Sequence, residues 1–323
     1  MAEELLRVEN LKVYYPVAGK EWLGGGRRFV RAVDGVSFAV NAGEAFGLVG
    51  ESGCGKSTTG KTLARLIQPT EGRVLFGGRD LFAPRDQAAA RALTRRIQLI
   101  FQDPYSSLDP QFTVGRTIAE PMLVNGLYGK KERTERVLAL MEEVGLRPDH
   151  FSKYPHEFSG GQRQRIGVAR ALALHPELVV CDEPVSALDV SIQAQILNLM
   201  KSLQRKHGLT YVFISHNLAV VRHLCDRIAV MYLGHIVEIA PKKALFEHPA
   251  HPYTAALMEA IPVPDPASPC MQETLEGDVP NPVSPPCGCC FHTRCKYAEE
   301  RCTLEPPETR EIGPGHLVAC HFR

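Results

Sequence analysis

Short apolar runs rich in β-branched residues alternate with segments of helical period through roughly the first 240 residues, the pattern of an α/β layered domain. The runs at 45–49, 97–101, 178–181, 211–214 and 227–232 predict strands. A long interval, 103–176, separates the second from the third. It carries helical stretches at 114–124, 131–144 and 160–174 and predicts a helical subdomain inserted into the sheet domain. After residue 248 the pattern changes. The run HPAHPYTAALMEAI predicts one more helix, prolines punctuate the chain from 262 to 286, and a short cysteine-rich tail follows. The expected domains are an α/β domain over 1–250, with the helical subdomain at about 103–176, and an extension over 251–323.

The length, 323 residues, suits about two domains. A formal net charge of +1 gives no footprint for nucleic acid or an anionic membrane surface. The basic pairs Arg95-Arg96, Lys130-Lys131 and Lys242-Lys243 are isolated from one another and read as solvated faces. Apolar stretches such as 228–233 stop well short of the roughly 18 to 20 residues needed to cross a bilayer, so a transport role would need other chains for the pore. The start, MAEELLRVENLKV, lacks a basic-then-apolar leader and argues for a cytosolic location.

The strand at 45–49 runs into Gly50-Glu51-Ser52-Gly53-Cys54-Gly55-Lys56-Ser57-Thr58, and the residues that follow suit a helix. This is a phosphate-binding loop in its strand–loop–helix setting. Glycines let the backbone wrap with its N–H groups inward, the helix N-terminus adds partial positive charge, Lys56 a full one, and the Ser57 hydroxyl is placed for Mg²⁺. The apolar run 178–181 ends in Asp182 and Glu183, suited to holding Mg²⁺ and polarising an attacking water, respectively. Alone, two acids after a strand are as readily a helix cap and a solvated neighbour; beside a phosphate loop they complete a nucleotide site. Phe158-Ser159-Gly160-Gly161-Gln162-Arg163-Gln164-Arg165 opens a helix in the inserted region. It makes either a second anion site, for a nucleotide bound to another subunit, or a capped helix whose glycines allow close packing.

Together these elements resemble the ATP-binding-cassette family over about residues 6–240. The resemblance implies a P-loop ATPase fold and an ATP sandwiched between the phosphate loop of one protomer and the signature, Ser159, Gly160, Gly161 and Gln162, of its partner. It identifies Gln102 with the Q-loop glutamine that contacts Mg²⁺ or the lytic water, Ser186-Ala187-Leu188-Asp189 with the D-loop, and His216 with the switch histidine on the γ-phosphate. Tyr15 stands where the family stacks an aromatic on adenine, with Tyr14 adjacent as the alternative. The signature opens on Phe158 where leucine is commoner.

The FEHPAHP run, His251-Pro252-Tyr253-Thr254 and the closing Val318-Ala319-Cys320-His321 resemble the C-terminal extension of ATPase subunits from peptide and nickel importers, and YPHEFSGGQ resembles the second of the paired ATPases there. That implies a related ATPase subunit, or a second copy, as partner, together with two transmembrane permease subunits and an extracytoplasmic solute-binding protein, at the cytoplasmic face of the membrane. Six of the ten cysteines crowd into the tail, which in a reducing compartment reads as metal ligation before disulfides. The family extension has a GCxFHxRC arrangement in which Cys289, Cys295, Cys302 and Cys320 would hold a 4Fe-4S cluster. On ligand chemistry four thiolates suit iron-sulfur or zinc, and the wider spacing of these four, without a CxxC pair among them, favours the cluster. Cys287 and Cys290 leave a one-position shift open. The main rival reading, a soluble cassette ATPase of DNA repair or translation, would be expected to bring a second cassette or a coiled-coil insertion.

Overall fold

The computed structural model describes residues 3–17, 28–84, 86–103, 105–260 and 277–323. The chain divides into two compact units, one from residues 41–44 and 83–214, the other from 3–40, 45–82 and 215–323. The prolines expected at 262–276, and Cys270, lie outside the described residues.

The second unit begins the chain with β1 (Glu4–Pro16), β2 (Phe29–Asn41), β3 (Ala45–Val49), α1 (Lys56–Leu63), β4 (Glu71–Phe76) and β5 (Arg79–Asp80). Four of these make a sheet in the order β2-β1-β4-β5, antiparallel from β1 to β4 and from β4 to β5. Leu6 and Val8, then Leu11 and Val13, are its buried positions along β1. The change of phase falls where the register with β4 shifts between Glu9 and Lys12 and Asn10 takes a φ of +46°, so an irregularity re-aims the second half of the strand toward the core.

The first unit follows with α2 (Gln87–Arg96), β6 (Ile97–Ile100), α3 (Val114–Val124), α4 (Lys130–Glu143), α5 (Gly160–Leu172), β7 (Leu178–Asp182), α6 (Val190–His207) and β8 (Thr210–Ser215). β6, β7 and β8 are parallel neighbours. Every residue of β7 and β8 is buried, as crossovers covering both faces require. The inserted helical region is α3, α4 and α5, with short 3-10 turns at Pro148–Ser152 and Pro155–Glu157. Several expected bounds shift by a residue or two, and two of the shifts bear on the site and its helix. β6 stops at Ile100, so Gln102 lies two residues beyond the strand rather than at its end. α5 stops at Leu172 because His175, at φ +51°, and Pro176 leave the helical conformation.

The second unit resumes with α7 (Leu218–Leu224), β9 (Arg227–Tyr232), β10 (His235–Pro241), α8 (Lys242–Glu247), α9 (Pro252–Glu259), α10 (Glu300–Leu304), β11 (Thr309–Gly313) and β12 (His316–Ala319). Here β3 pairs in parallel with β9, and β9-β10-β12-β11 continue antiparallel. The tail is therefore more than a cysteine module: its hairpin extends the sheet that carries the phosphate loop. β3 is buried throughout and packs so closely on α7 that a Cβ at Gly47 would come within 2.6 Å of Val221 Cγ1. No helix among the described residues is long and apolar enough to cross a membrane.

Candidate functional site

The loop between β3 and α1 has the curvature its glycines permit. Gly50, Gly53 and Gly55 have φ of +153°, +81° and +106°. A Cβ on Gly50 would lie 2.1 Å from the Met231 carbonyl oxygen, and one on Gly55 2.1 Å from that of Ala32. Glycine is thus required by conformation and by space at both ends of the loop. Gly55 precedes α1, so the first-turn N–H groups of Lys56, Ser57 and Thr58 follow the bend. Lys56 is buried, and its Nζ donates to the carbonyl oxygens of Gly50 and Glu51, both at 2.8 Å. Cys54 Sγ lies 3.7 Å from the same ammonium, and burial pushes this thiol's pKa up. Ser52 is exposed and Ser57 half-buried.

In the same unit Tyr14 is committed elsewhere, its hydroxyl donating to Asp34 Oδ1 at 2.6 Å, whereas the Tyr15 ring is 38% exposed. His216 follows β8 directly and is exposed.

The first unit holds the acids. Asp182 ends β7 and is buried; Glu183 follows with a φ of +46°, a left-handed conformation that costs a non-glycine residue about 1 to 3 kcal/mol. Its N–H donates to the Ile214 carbonyl at 3.0 Å, which pins the bend to the neighbouring strand. Gln102 Nε2 donates to Glu183 Oε2 at 3.0 Å, so two residues chosen from separate motifs meet in space. The Ser186 hydroxyl donates to the Glu183 carbonyl at 3.0 Å and tightens the turn into α6.

Ser159 caps α5. Its hydroxyl accepts from Gln162 N–H at 3.4 Å, while Gln162 Oε1 accepts from Ser159 N–H at 3.1 Å, a reciprocal capping box. Ser159 is exposed and Gly160 half-buried at the positive end of the helix. Gly161 has a packing role: a Cβ there would lie 2.5 Å from Ile192 Cγ2 on α6. The capped, closely packed helix expected for this run is therefore what Ser159, Gln162 and Gly161 make here.

The tail is built on buried groups. Glu238 of β10 is buried and accepts from the N–H groups of Ala250 (2.9 Å) and His251 (2.8 Å), with His316 Nε2 2.7 Å away. His251 Nδ1 accepts from Tyr253 N–H and caps α9; burial pulls this histidine's pKa down to about 4. Phe291 is buried with its ring 5.2 Å from that of Tyr232, 5.3 Å from Tyr253 and 5.6 Å from His251. Glu51 of the phosphate loop is held twice: its N–H donates to the Tyr253 hydroxyl at 2.9 Å, and its carboxylate receives Arg294 Nη1 and Nη2 at 2.8 and 3.2 Å.

Among the described residues, no three His, Cys, Asp or Glu side chains converge as they would around a single metal ion. Neither zinc nor iron-sulfur is therefore a finding. The four thiols do lie within electrostatic reach of one another: burial pushes the Cys289 pKa up, and Cys302, Cys295 and Cys320 push it further. Cys295 is raised by burial, with Cys320 and Cys302 adding to it. Burial pushes the Cys290 pKa up to about 12, with Cys289 adding to it. Cys302 O accepts from Cys289 N–H at 2.8 Å, which joins two of the four segments.

Glu51, Tyr253, Phe291 and Arg294 escaped sequence reasoning as site residues. Tyr253, Phe291 and Arg294 lie inside motifs quoted only as family marks, and no local spacing links position 51 to position 294.

A family model described as "ABC transporter" matches residues 33–186, and one described as "Oligopeptide/dipeptide transporter, C-terminal region" matches residues 237–302. The chain is similar to the oligopeptide transport ATP-binding protein AppF of Bacillus subtilis (strain 168), 49% identical over 325 residues that cover 99% of this chain and 98% of that one. Among solved structures it is similar to the ATP-binding cassette MJ0796, a dimer in a post-hydrolysis state bound to ADP and Pi. That match has a TM-score of 0.64 and 28% identity, covering 74% of this chain and 99% of that one. It is also similar to cbiO1 from Clostridium perfringens, part of the ABC transporter complex cbiONQ. There the TM-score is 0.64 and the identity 25%, with 76% and 92% covered.

Proposed function

The chain belongs to the ABC transporter ATPases that carry the oligopeptide/dipeptide C-terminal region, and from that membership we propose how it hydrolyses ATP to power the import of short peptides. The Gln102–Glu183 contact at 3.0 Å, on the same chain as a phosphate loop closed around Lys56, is the observation that carries the proposal.

Lys56 exchanges the carbonyls of Gly50 and Glu51 for β- and γ-phosphate oxygens, and the N–H groups at the start of α1 bind the same phosphates. Tyr15, whose ring is exposed while Tyr14 is bonded to Asp34, stacks on adenine. Ser57, Gln102 and Asp182 offer hydroxyl, amide and carboxylate oxygens, the hard donor set that suits Mg²⁺. When bound, that ion neutralises the phosphate oxygens as charge develops in phosphoryl transfer. Glu183, with one oxygen already bonded to Gln102, accepts a proton from the attacking water through the other, while His216 grips the γ-phosphate. Bonds to the phosphates strengthen as the terminal P–O bond breaks, so catalysis is positional and electrostatic.

Ser159, with Gly160, Gly161 and Gln162, caps the nucleotide of a second ATPase subunit, either a related chain or a second copy. Two membrane-spanning permease subunits and an extracytoplasmic binding protein complete the importer, which places this chain peripherally on the cytoplasmic face. The expected division, an ATPase domain at 1–250 and an importer-specific extension at 251–323, fits this assignment.

Cys289, Cys295, Cys302 and Cys320 form a set of soft donors with no CxxC pair among the four, which suits a 4Fe-4S cluster better than zinc. Such a cluster would supply positive charge that holds the four sulfurs as thiolates and staple the tail. An absorption spectrum of protein purified without oxygen distinguishes the two metals.

Peptide uptake by cells carrying Glu183→Gln in place of the natural residue tests the main assignment. Loss of uptake at unchanged protein level is the expected outcome, and undiminished uptake would refute it.

A further inference from the structure

The backbone N–H and the carboxylate of Glu51 are both taken by the C-terminal extension. Tyr253 of α9 accepts its backbone N–H, and Arg294 grips its carboxylate with two nitrogens. The pair differs from an ordinary surface ion pair in geometry and surroundings: the fork is bidentate, and the arginine side chain is only 5% exposed against 28% for the glutamate. Arg294 stands immediately before Cys295 in a turn anchored by Phe291, the ring packed among Tyr232, Tyr253 and His251. The other end of the turn is tied by Cys289 N–H donating to Cys302 O. A tail segment fixed at both ends therefore holds the second residue of the phosphate loop.

That residue matters because the loop has little conformational preference of its own. Three glycines with positive φ occur within six residues, and glycine surrenders more backbone freedom on ordering than any other residue. Lys56 donates to the carbonyl of Glu51 itself, so a displacement of Glu51 passes to the ammonium within one hydrogen bond.

We propose that Arg294 is a positioning residue for ATP binding, through which the cysteine-bearing turn sets the shape of the phosphate loop by way of Glu51. The proposal rests on the assignment of the loop to ATP. It makes the extension a working part of the nucleotide site rather than an appended module: disturbing the turn weakens nucleotide binding without touching any residue that contacts phosphate.

The test is isothermal titration of the full-length chain with MgADP, comparing Arg294→Ala, Arg294→Lys, Glu51→Gln, the double variant Arg294→Ala/Glu51→Gln, and Lys56→Ala. Loss of the fork is expected to weaken binding about tenfold in Arg294→Ala, with Lys recovering part of it because it keeps the charge but not the two-point geometry. The double variant is expected to bind no more weakly than Arg294→Ala, since both changes break one contact. In steady state, KM for ATP should rise while kcat at saturating ATP stays within about twofold, the mark of lost binding rather than lost chemistry. If Arg294→Ala unfolds, Arg294→Lys and Glu51→Gln carry the comparison. Wild-type affinity in the arginine and glutamate variants, or losses that add in the double variant, with Lys56→Ala still abolishing binding, would overturn the proposal and leave the ATP site standing. Undiminished binding by Lys56→Ala would instead remove the ATP assignment, and the proposal with it.

Discussion

Gly55→Ala and Gly53→Ala separate two costs that glycine avoids in the phosphate loop. Both positions have positive φ, +106° and +81°, so an added Cβ strains the backbone at each, by about 1 to 3 kcal/mol. Only at Gly55 does the Cβ also collide, 2.1 Å from the carbonyl oxygen of Ala32; at Gly53 nothing lies within 4 Å. A carbon and a carbonyl oxygen approach to about 3.3 Å at closest, so the two must separate by about 1.2 Å. Ala32 belongs to β2, which is held in its sheet by β1, so the loop is what moves, and the N–H groups of Lys56 and Ser57 move with it. A misplacement of about 1 Å in a positioning element costs on the order of a hundredfold. Gly55→Ala is therefore expected to lower MgATP affinity and kcat/KM by about a hundredfold or more, and Gly53→Ala by about tenfold or less. Titration with a fluorescent ATP analogue, paired with phosphate release, measures both. Equal losses at the two positions would refute the reasoning, because strain alone would then account for the glycines.

Other consequences follow from the buried contacts. Phe291→Ala removes a fully buried ring and should destabilise the unit that contains it by about 3 to 5 kcal/mol, read as a lower denaturation midpoint in urea; a change below about 1 kcal/mol would mean the tail is not seated through this ring. His251, with its folded pKa near 4, stays neutral while the unfolded chain takes up a proton from about pH 6.5 downward. Its contribution to stability is full above pH 6.5, falls across the window to pH 4 by about 3 kcal/mol in all, and levels off below; a flatter pH profile in His251→Asn checks it. Gly161→Ala should overpack the contact with Ile192 by about 1 to 3 kcal/mol, and adding Ile192→Ala should restore part of the loss; additive losses in thermal melts would contradict the contact.

Where chemistry is local, the sequence carried it. The phosphate loop needed only its own nine residues, and the strand and helix expected on either side of it are there in the structure. The capping box of Ser159 and Gln162 was legible for the same reason, since its partners are three residues apart. Gln102 and Glu183 are 81 positions apart, and their contact could be expected only by resemblance. The tail was legible in composition but not in architecture. Its strands are short, and β12 finds its place by pairing Leu317 and Val318 with Ile239 and Glu238, a register that no local pattern specifies. Glu238 would ordinarily be assigned to a surface. Its burial makes sense only once two backbone N–H groups and His316 are seen around it.

The decisive measurement is ATP-dependent association of the Glu183→Gln chain, supplied with its counterpart subunit and followed by light scattering alongside phosphate release. Hydrolysis is expected to fall by about a hundredfold or more while a dimer accumulates in MgATP and disperses when nucleotide is removed. Undiminished hydrolysis, with the mass unchanged at every ATP concentration, would contradict it.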